Sequence, residues 1–171
     1  MLHTRTKWNI NNCVQQIGRA GVIQNYFNEN KDKLKFSDPK DYYHFQIASI
    51  PPSVYLSDPL IKFINDKYEI EDAGIIRIEP NRCYKWHIDT ERGVGINMLL
   101  SNSRSFVLFG KDCGNPSEYE IVEFNYQPGV LYWFNTQIMH TVINFEQPRY
   151  LFSVEFVLQK DKLTFDMATY Q

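Results

Sequence analysis

The feature that most constrains this chain is a change of hydrophobic rhythm at Gly74. From there to Leu158 apolar residues recur at every second position in short bursts, and turn residues separate the bursts. Strand side chains point to alternate faces, so this period belongs to half-buried β-structure. The pattern predicts strands over residues 75–79, 83–89, 96–100, 104–109, 119–124, 130–134, 138–144 and 149–158. Pro80-Asn81, Gly93, Gly95, Ser101-Asn102-Ser103, 110–116 and Pro128-Gly129 supply the breaks. Some seven or eight short strands spaced about 8–12 residues apart indicate a sandwich or barrel. Aromatic residues, at 15% of the chain, favour the same kind of surface.

The residues before Gly74 read differently. Val14, Ile17, Val22, Ile23, Tyr26 and Phe27 are loosely helix-spaced, although Gly18 and Gly21 weaken the pattern. A polar break covers 28–35, and 44–50 alternates as a strand that Pro51-Pro52 ends. Ser57-Asp58-Pro59 is a helix-start signal, a capping residue before proline, with Leu60, Ile61, Ile64 and Tyr68 at helical spacing behind it. The fold class expected is mainly β, a jelly roll (double-stranded β-helix, cupin-like) buttressed by N-terminal helices. Residues 1–171 are expected to be one domain, with N-terminal support over 1–73, the jelly-roll core over 74–158 and an extension over 159–171.

The chemistry is concentrated in Tyr84-Lys-Trp-His87-Ile-Asp89. Residues i and i+2 of a strand share a face, so His87 and Asp89 would project side by side, with Trp86 and Ile88 turned away into packing. One imidazole and one carboxylate are two thirds of a facial metal triad. The chain has four histidines, leaving His3, His44 and His140 for the third place. His140 lies just before the last long strand, where a jelly roll could bring it across to His87. Three ligands on one side leave positions open, unlike a closed zinc site, whose Cys and His spacing is absent here. A lone His-x-Asp is common by chance, and a histidine on a strand is often only a hydrogen-bonded core residue. The combination carries the argument. Arg149 opens the last strand; its planar fork suits a carboxylate, and a surface arginine at a strand start is the plain alternative.

Tyr84-x-x-His87-x-Asp89, then Pro128-Gly129 and Phe134, then His140 and Arg149, in that order, resembles the 2-oxoglutarate/iron(II)-dependent oxygenase superfamily. The resemblance runs from about Gly74 to Leu158 and is nearest to prolyl hydroxylases and the aspartyl/asparaginyl hydroxylases. Gly95-Ile-Asn-Met-Leu-Leu100 is similar to the latter, whose typical members lack the carboxylate ligand that Asp89 supplies. The resemblance implies an iron(II) enzyme using 2-oxoglutarate and dioxygen, releasing succinate and carbon dioxide while hydroxylating an unactivated C–H bond. It implies His87, Asp89 and His140 as catalytic metal ligands and Arg149 as the cosubstrate anchor. Asn97, set between Ile96 and Met98, would bind a cosubstrate carboxylate or make a structural hydrogen bond. Tyr84 could also meet the cosubstrate, but strict alternation sets it opposite His87, so a bulge is needed. Arg92, in the loop after Asp89, would meet a substrate anion or remain a solvated charge. Trp86, Trp133 and Phe134 read as core.

Composition limits the alternatives. The net charge is −2 with no basic block, which disfavours binding to a nucleic-acid duplex. The first residues form no signal peptide, and no stretch could span a membrane. Cys13, Cys83 and Cys113 are odd in number and lack Cys-x-x-Cys spacing, so reduced thiols in a cytoplasm are expected. The expected substrate is a small molecule or peptide, hydroxylated at an amino acid, free or within a polypeptide. A nucleobase demethylase or hydroxylase on the same scaffold is second. A non-oxidative cupin-like metal-binding module is third and poorer, since cupins usually bring more histidines to the metal. Substrate identity and oligomeric state are not written in the sequence.

Overall fold

The computed structural model describes residues 9–38, 45–115 and 118–170. Ten strands build it: β1 (Val14–Arg19), β2 (Phe45–Ser49), β3 (Ile70–Ile78), β4 (Cys83–His87), β5 (Gly95–Leu99), β6 (Ser105–Asn115), β7 (Glu118–Phe124), β8 (Val130–Phe134), β9 (Met139–Asn144) and β10 (Arg149–Phe156). One sheet has six strands, ordered β1-β8-β5-β10-β3-β2; the other has four, ordered β4-β9-β6-β7. From β3 onward the chain crosses between sheets: β4 in the small one, β5 in the large, β6 and β7 small, β8 large, β9 small, β10 large. That alternation, with antiparallel pairing throughout, is the jelly roll expected from the sequence.

The large sheet has two faces. On one, Ile96, Met98, Leu131, Trp133, Phe152 and Val154 bury themselves with the helices. These are α1 (Gly21–Asn30), α2 (Pro52–Tyr55), α3 (Pro59–Lys67) and α4 (Phe165–Thr169). On the other, Val14, Val130, Tyr132 and Phe134 pack with Val107, Phe109 and Phe124 of the small sheet. Trp133 and Phe134 are core, as expected. Trp86 and Ile88 are not: they point away from the interior but remain 41% and 44% exposed, with the Trp86 ring lying over Gly110. Trp86 lies on the outer face of the small sheet, and Ile88 lies just past the end of β4.

Several boundaries differ from the sequence reading. Residues 14–19 are a strand, not the start of a helix, and pair with β8. The register shifts between Gln16 and Gly18, so Val14 faces the small sheet while Ile17 turns to the helices. Two apolar residues three apart thus imitated a helical stripe. Only Gly21–Asn30 forms the helix, through buried Ile23 and Phe27. The N-terminal part therefore adds two strands to the large sheet as well as helical support. β3 begins at Ile70, before the glycine, and β4 stops at His87, leaving Asp89 in a loop. Gly129, with φ 77°, makes the tight turn into β8 that Pro128-Gly129 announces. α2 and α4 have no strong periodicity; α4 is held by Leu163, Phe165 and Ala168 in the helix-side core. Among the described residues no helix is long and apolar enough to cross a membrane.

Buried Asp58 joins two helices. Its Oδ1 accepts the N–H groups of Leu60 and Ile61 at 3.0 and 3.4 Å, capping α3. Its Oδ2 accepts the Val22 N–H of α1 at 3.2 Å. Asp58→Ala orphans N–H groups at both helix starts, so unfolding in urea should show a loss on the order of 2 kcal/mol.

Candidate metal centre

The small sheet brings the two histidines together. β4 and β9 are antiparallel neighbours, and His87 lies directly opposite His140. Asp89 follows in the loop, where its N–H donates to the Thr136 carbonyl at 3.1 Å. That bond keeps the chain extended past the end of β4, so the carboxylate still turns to the side that His87 faces. Asp89 Oδ1 lies 3.5 Å from His87 Nε2 and 3.7 Å from His140 Nε2. One donor atom from each residue falls within 4.8 Å of the other two.

The imidazoles are oriented for ligation. His87 Nδ1 lies 2.7 Å from the Lys85 carbonyl, and His140 Nδ1 lies 2.7 Å from that of Ile138. A carbonyl only accepts, so each Nδ1 carries the proton and each Nε2 turns its lone pair toward Asp89. Burial pushes the His140 imidazole down to about 4, so it is neutral at neutral pH. Burial alone would raise the Asp89 carboxyl; the adjoining His87 ring and the charge of Arg92 outweigh it and hold it at about 2. Two nitrogen lone pairs and an anionic oxygen facing one point repel one another unless a cation sits between them. The donor set, two imidazoles and one carboxylate, suits iron(II) and other first-row dications.

The arm that carries Asp89 is firmly tied. Gln137 Nε2 donates to the carbonyls of Asp89 and Arg92, at 3.0 and 2.7 Å. Thr136 Oγ1 donates to the Arg92 carbonyl at 2.6 Å. The Arg92 guanidinium reaches back to Asp89 and to Ser153. Arg92, expected in the loop after Asp89 as a substrate contact or a solvated charge, is part-buried and ion-paired.

A second polar group lies inside the roll. Arg149 is 1% exposed, and no carboxylate pairs with it among the described residues. Its Nε donates to Ser105 Oγ at 3.1 Å, and its guanidinium carbon lies 5.6 Å from the Tyr126 ring centre. Burial lowers the Arg149 pKa and the Tyr126 contact opposes that; an arginine stays charged regardless. Burial raises the Tyr126 hydroxyl to about 12, so it remains a neutral donor. Asn97 is buried beside Tyr126, and its Oδ1 has no hydrogen-bond partner among the described residues. Tyr84 reaches the interior because the β4 register shifts between Tyr84 and His87; the two rings meet edge to face at 4.1 Å. The bulge that the sequence required for Tyr84 is present.

Thus His87, Asp89 and His140 converge, with Arg92 and Tyr84 against them, while Arg149 and Asn97 meet around Tyr126. His3 and His44 lie outside the described residues. Tyr126, Thr136 and Gln137 were not singled out in the sequence. Tyr126 stands just before the Pro128-Gly129 turn, and nothing in its neighbourhood separates it from the ten other tyrosines of the eleven in the chain.

No family model matches the sequence, and no curated protein does. Solved structures do match in fold. A 2OG-Fe(II) oxygenase family oxidoreductase from Burkholderia pseudomallei is 12% identical, with a TM-score of 0.59 over 88% of this chain and 90% of that one. A prolyl hydroxylase from Trichoplax adhaerens, in complex with a hypoxia inducible factor peptide fragment, is 16% identical, with a TM-score of 0.56 over 86% and 84%. HygX from Streptomyces hygroscopicus, with nickel, 2-oxoglutarate and hygromycin B bound, is 13% identical, with a TM-score of 0.60 over 85% and 83%. The chain shares the fold of these oxygenases across most of its length.

The shifted histidine gives a stability signature. A pKa of about 4 in the folded chain against 6.5 unfolded means that the unfolded chain binds the extra proton first. The stabilisation is therefore complete above pH 6.5 and lost as the pH falls toward 4. In metal-free protein, denaturant midpoints should decline across that window by on the order of 3 kcal/mol from this group. His140→Gln should flatten the decline.

Proposed function

We propose that this protein is an iron(II)- and 2-oxoglutarate-dependent oxygenase that hydroxylates a C–H bond of an amino acid, free or within a polypeptide, with release of succinate and carbon dioxide. The observation that carries the reading is the pairing of two unfinished sites in one interior. His87, Asp89 and His140 form an electron-rich group in need of a cation; Arg149 is a buried cation in need of an anion. Leaving a charge buried without a partner costs several kcal/mol. A metal and a dicarboxylate that chelates it would complete both at once.

The residues fit those groups. His87 Nε2, Asp89 Oδ1 and His140 Nε2 would hold the iron. Arg149 would take the far carboxylate of 2-oxoglutarate, with the Tyr126 ring and Ser105 Oγ beside the guanidinium. Asn97, with its incomplete amide, and Tyr84, beside His87, would make the remaining polar contacts of the cosubstrate. When bound, iron and 2-oxoglutarate supply an oxidative decarboxylation coupled to oxygen insertion into a C–H bond. The chain's part is to ligate, orient and shield: Phe109 and Phe134 pack beside His140 and keep that side dry. The peptide fragment bound to one structural neighbour and the hygromycin B bound to another support a substrate outside the nucleic acids, as does the absence of a basic block.

Anaerobic addition of iron(II) and 2-oxoglutarate should produce a weak visible charge-transfer band; iron-loaded protein without that band would refute the reading. Succinate release with amino acids, peptides and oligonucleotides then selects the substrate class. His140→Ala should lose iron binding with the far-ultraviolet dichroism retained. Arg149→Ala should weaken 2-oxoglutarate roughly 10- to 100-fold in a titration of the same band, leaving iron affinity nearly unchanged. Normal cosubstrate binding by that variant would reassign the anchor.

A further inference from the structure

The two oxygens of Asp89 are used differently. Oδ1 is the atom that faces the imidazoles. Oδ2 receives Arg92, from Nε at 2.9 Å and from Nη2 at 2.8 Å. The third nitrogen of the fork, Nη1, donates to Ser153 Oγ at 3.2 Å, and Glu155 Oε1 lies 4.0 Å from Nε. Arg92 is thereby strung between the loop that carries the ligand and the middle of the large sheet.

Its own backbone is equally constrained. The Arg92 carbonyl takes the Thr136 and Gln137 bonds described above. The next residue, Gly93, lies so close under the C-terminal segment that an added Cβ would sit 2.1 Å from the Lys160 carbonyl oxygen and 2.3 Å from that of Leu163. Lys160 N–H donates to the Glu91 carbonyl at 2.9 Å. The fork lies next to Gly95, where an added Cβ would approach Nη1 to 3.2 Å. A guanidinium held on so many sides is a fixed support for whatever it bonds.

We infer that Arg92 is a positioning residue, which holds Asp89 Oδ2 so that Oδ1 alone is presented to the metal. This rests on the proposed iron site. A carboxylate free to turn can offer a cation both oxygens or neither; one whose second oxygen already has two donors offers one. Charge by itself acts in the opposite direction, since a guanidinium repels a dication. Glu155 offsets part of that repulsion, so orientation decides the sign. Lysine cannot replace the arginine fully, because a point charge reaches Asp89 or Ser153 but does not bridge them.

The test is a cobalt(II) titration of the full chain without cosubstrate, followed by visible absorption, for the wild type, Arg92→Gln and Arg92→Lys. Arg92→Gln should bind about 10- to 100-fold more weakly, with Arg92→Lys between it and the wild type. A purely structural role would lower thermal stability in both and leave the affinity of the folded fraction unchanged. Arg92→Gln that binds cobalt as tightly as the wild type, or more tightly, overturns the inference and leaves the metal site standing. Should Arg92→Gln not fold, Arg92→Lys decides, and wild-type affinity there also overturns it. A wild type that binds no cobalt removes the metal site and this inference together.

Discussion

The pairing of β4 with β9 sets His87 opposite His140, and the rest of the centre is arranged around that contact. The two residues are far apart in the chain, and an antiparallel ladder is what brings their side chains to one face. Each ring is then locked by the carbonyl two residues back, Lys85 within β4 for His87 and Ile138 just before β9 for His140, so the adjoining chain also sets its tautomer. The third ligand comes from a loop and needs more support. Thr136 and Gln137, in the connection leading into β9, supply it, so both sides of the site depend on the same small-sheet pairing.

The space between the two sheets holds polar groups beside an apolar cluster, while the large sheet meets the helices through apolar side chains. The same strands serve both environments. On β5 and β10, Ile96, Met98, Phe152 and Val154 face the helices, and Asn97, Arg149 and Ser153 face the roll. Burying roughly 25 cal/mol per Å2 of apolar surface on the helix side supplies the stability that lets the opposite side hold two guanidinium groups and an incomplete amide. A one-residue slip in either strand would exchange the two sets, so the register of the apolar face also fixes the site.

The sequence was most informative where side chains alternate without interruption. Gly95–Leu99, Val130–Phe134 and Arg149–Phe156 appear near their expected positions; they are buried on both faces, their side chains alternating between the helices and the roll. It was least informative at bulges. The shift near Ile17 made β1 look helical, and the shift between Tyr84 and His87 moved a tyrosine to the side that alternation denies it. Short elements held only by tertiary packing, such as α2 and α4, left no periodic trace.

The chain's sequence alone determined the ingredients: a β-rich roll, an imidazole and carboxylate two residues apart, a second imidazole upstream of the last strand, and an arginine at that strand's start. These follow from local rules, since side-chain period and residue chemistry do not depend on the partner. Tertiary structure decided the rest. It placed His140 opposite His87, left Arg149 in the interior without an acid among the described residues, surrounded it with Tyr126 and Ser105, and turned Arg92 inward onto Asp89. Each of those outcomes depends on which strands become neighbours and in what register, and that is settled by contacts between residues distant in the chain.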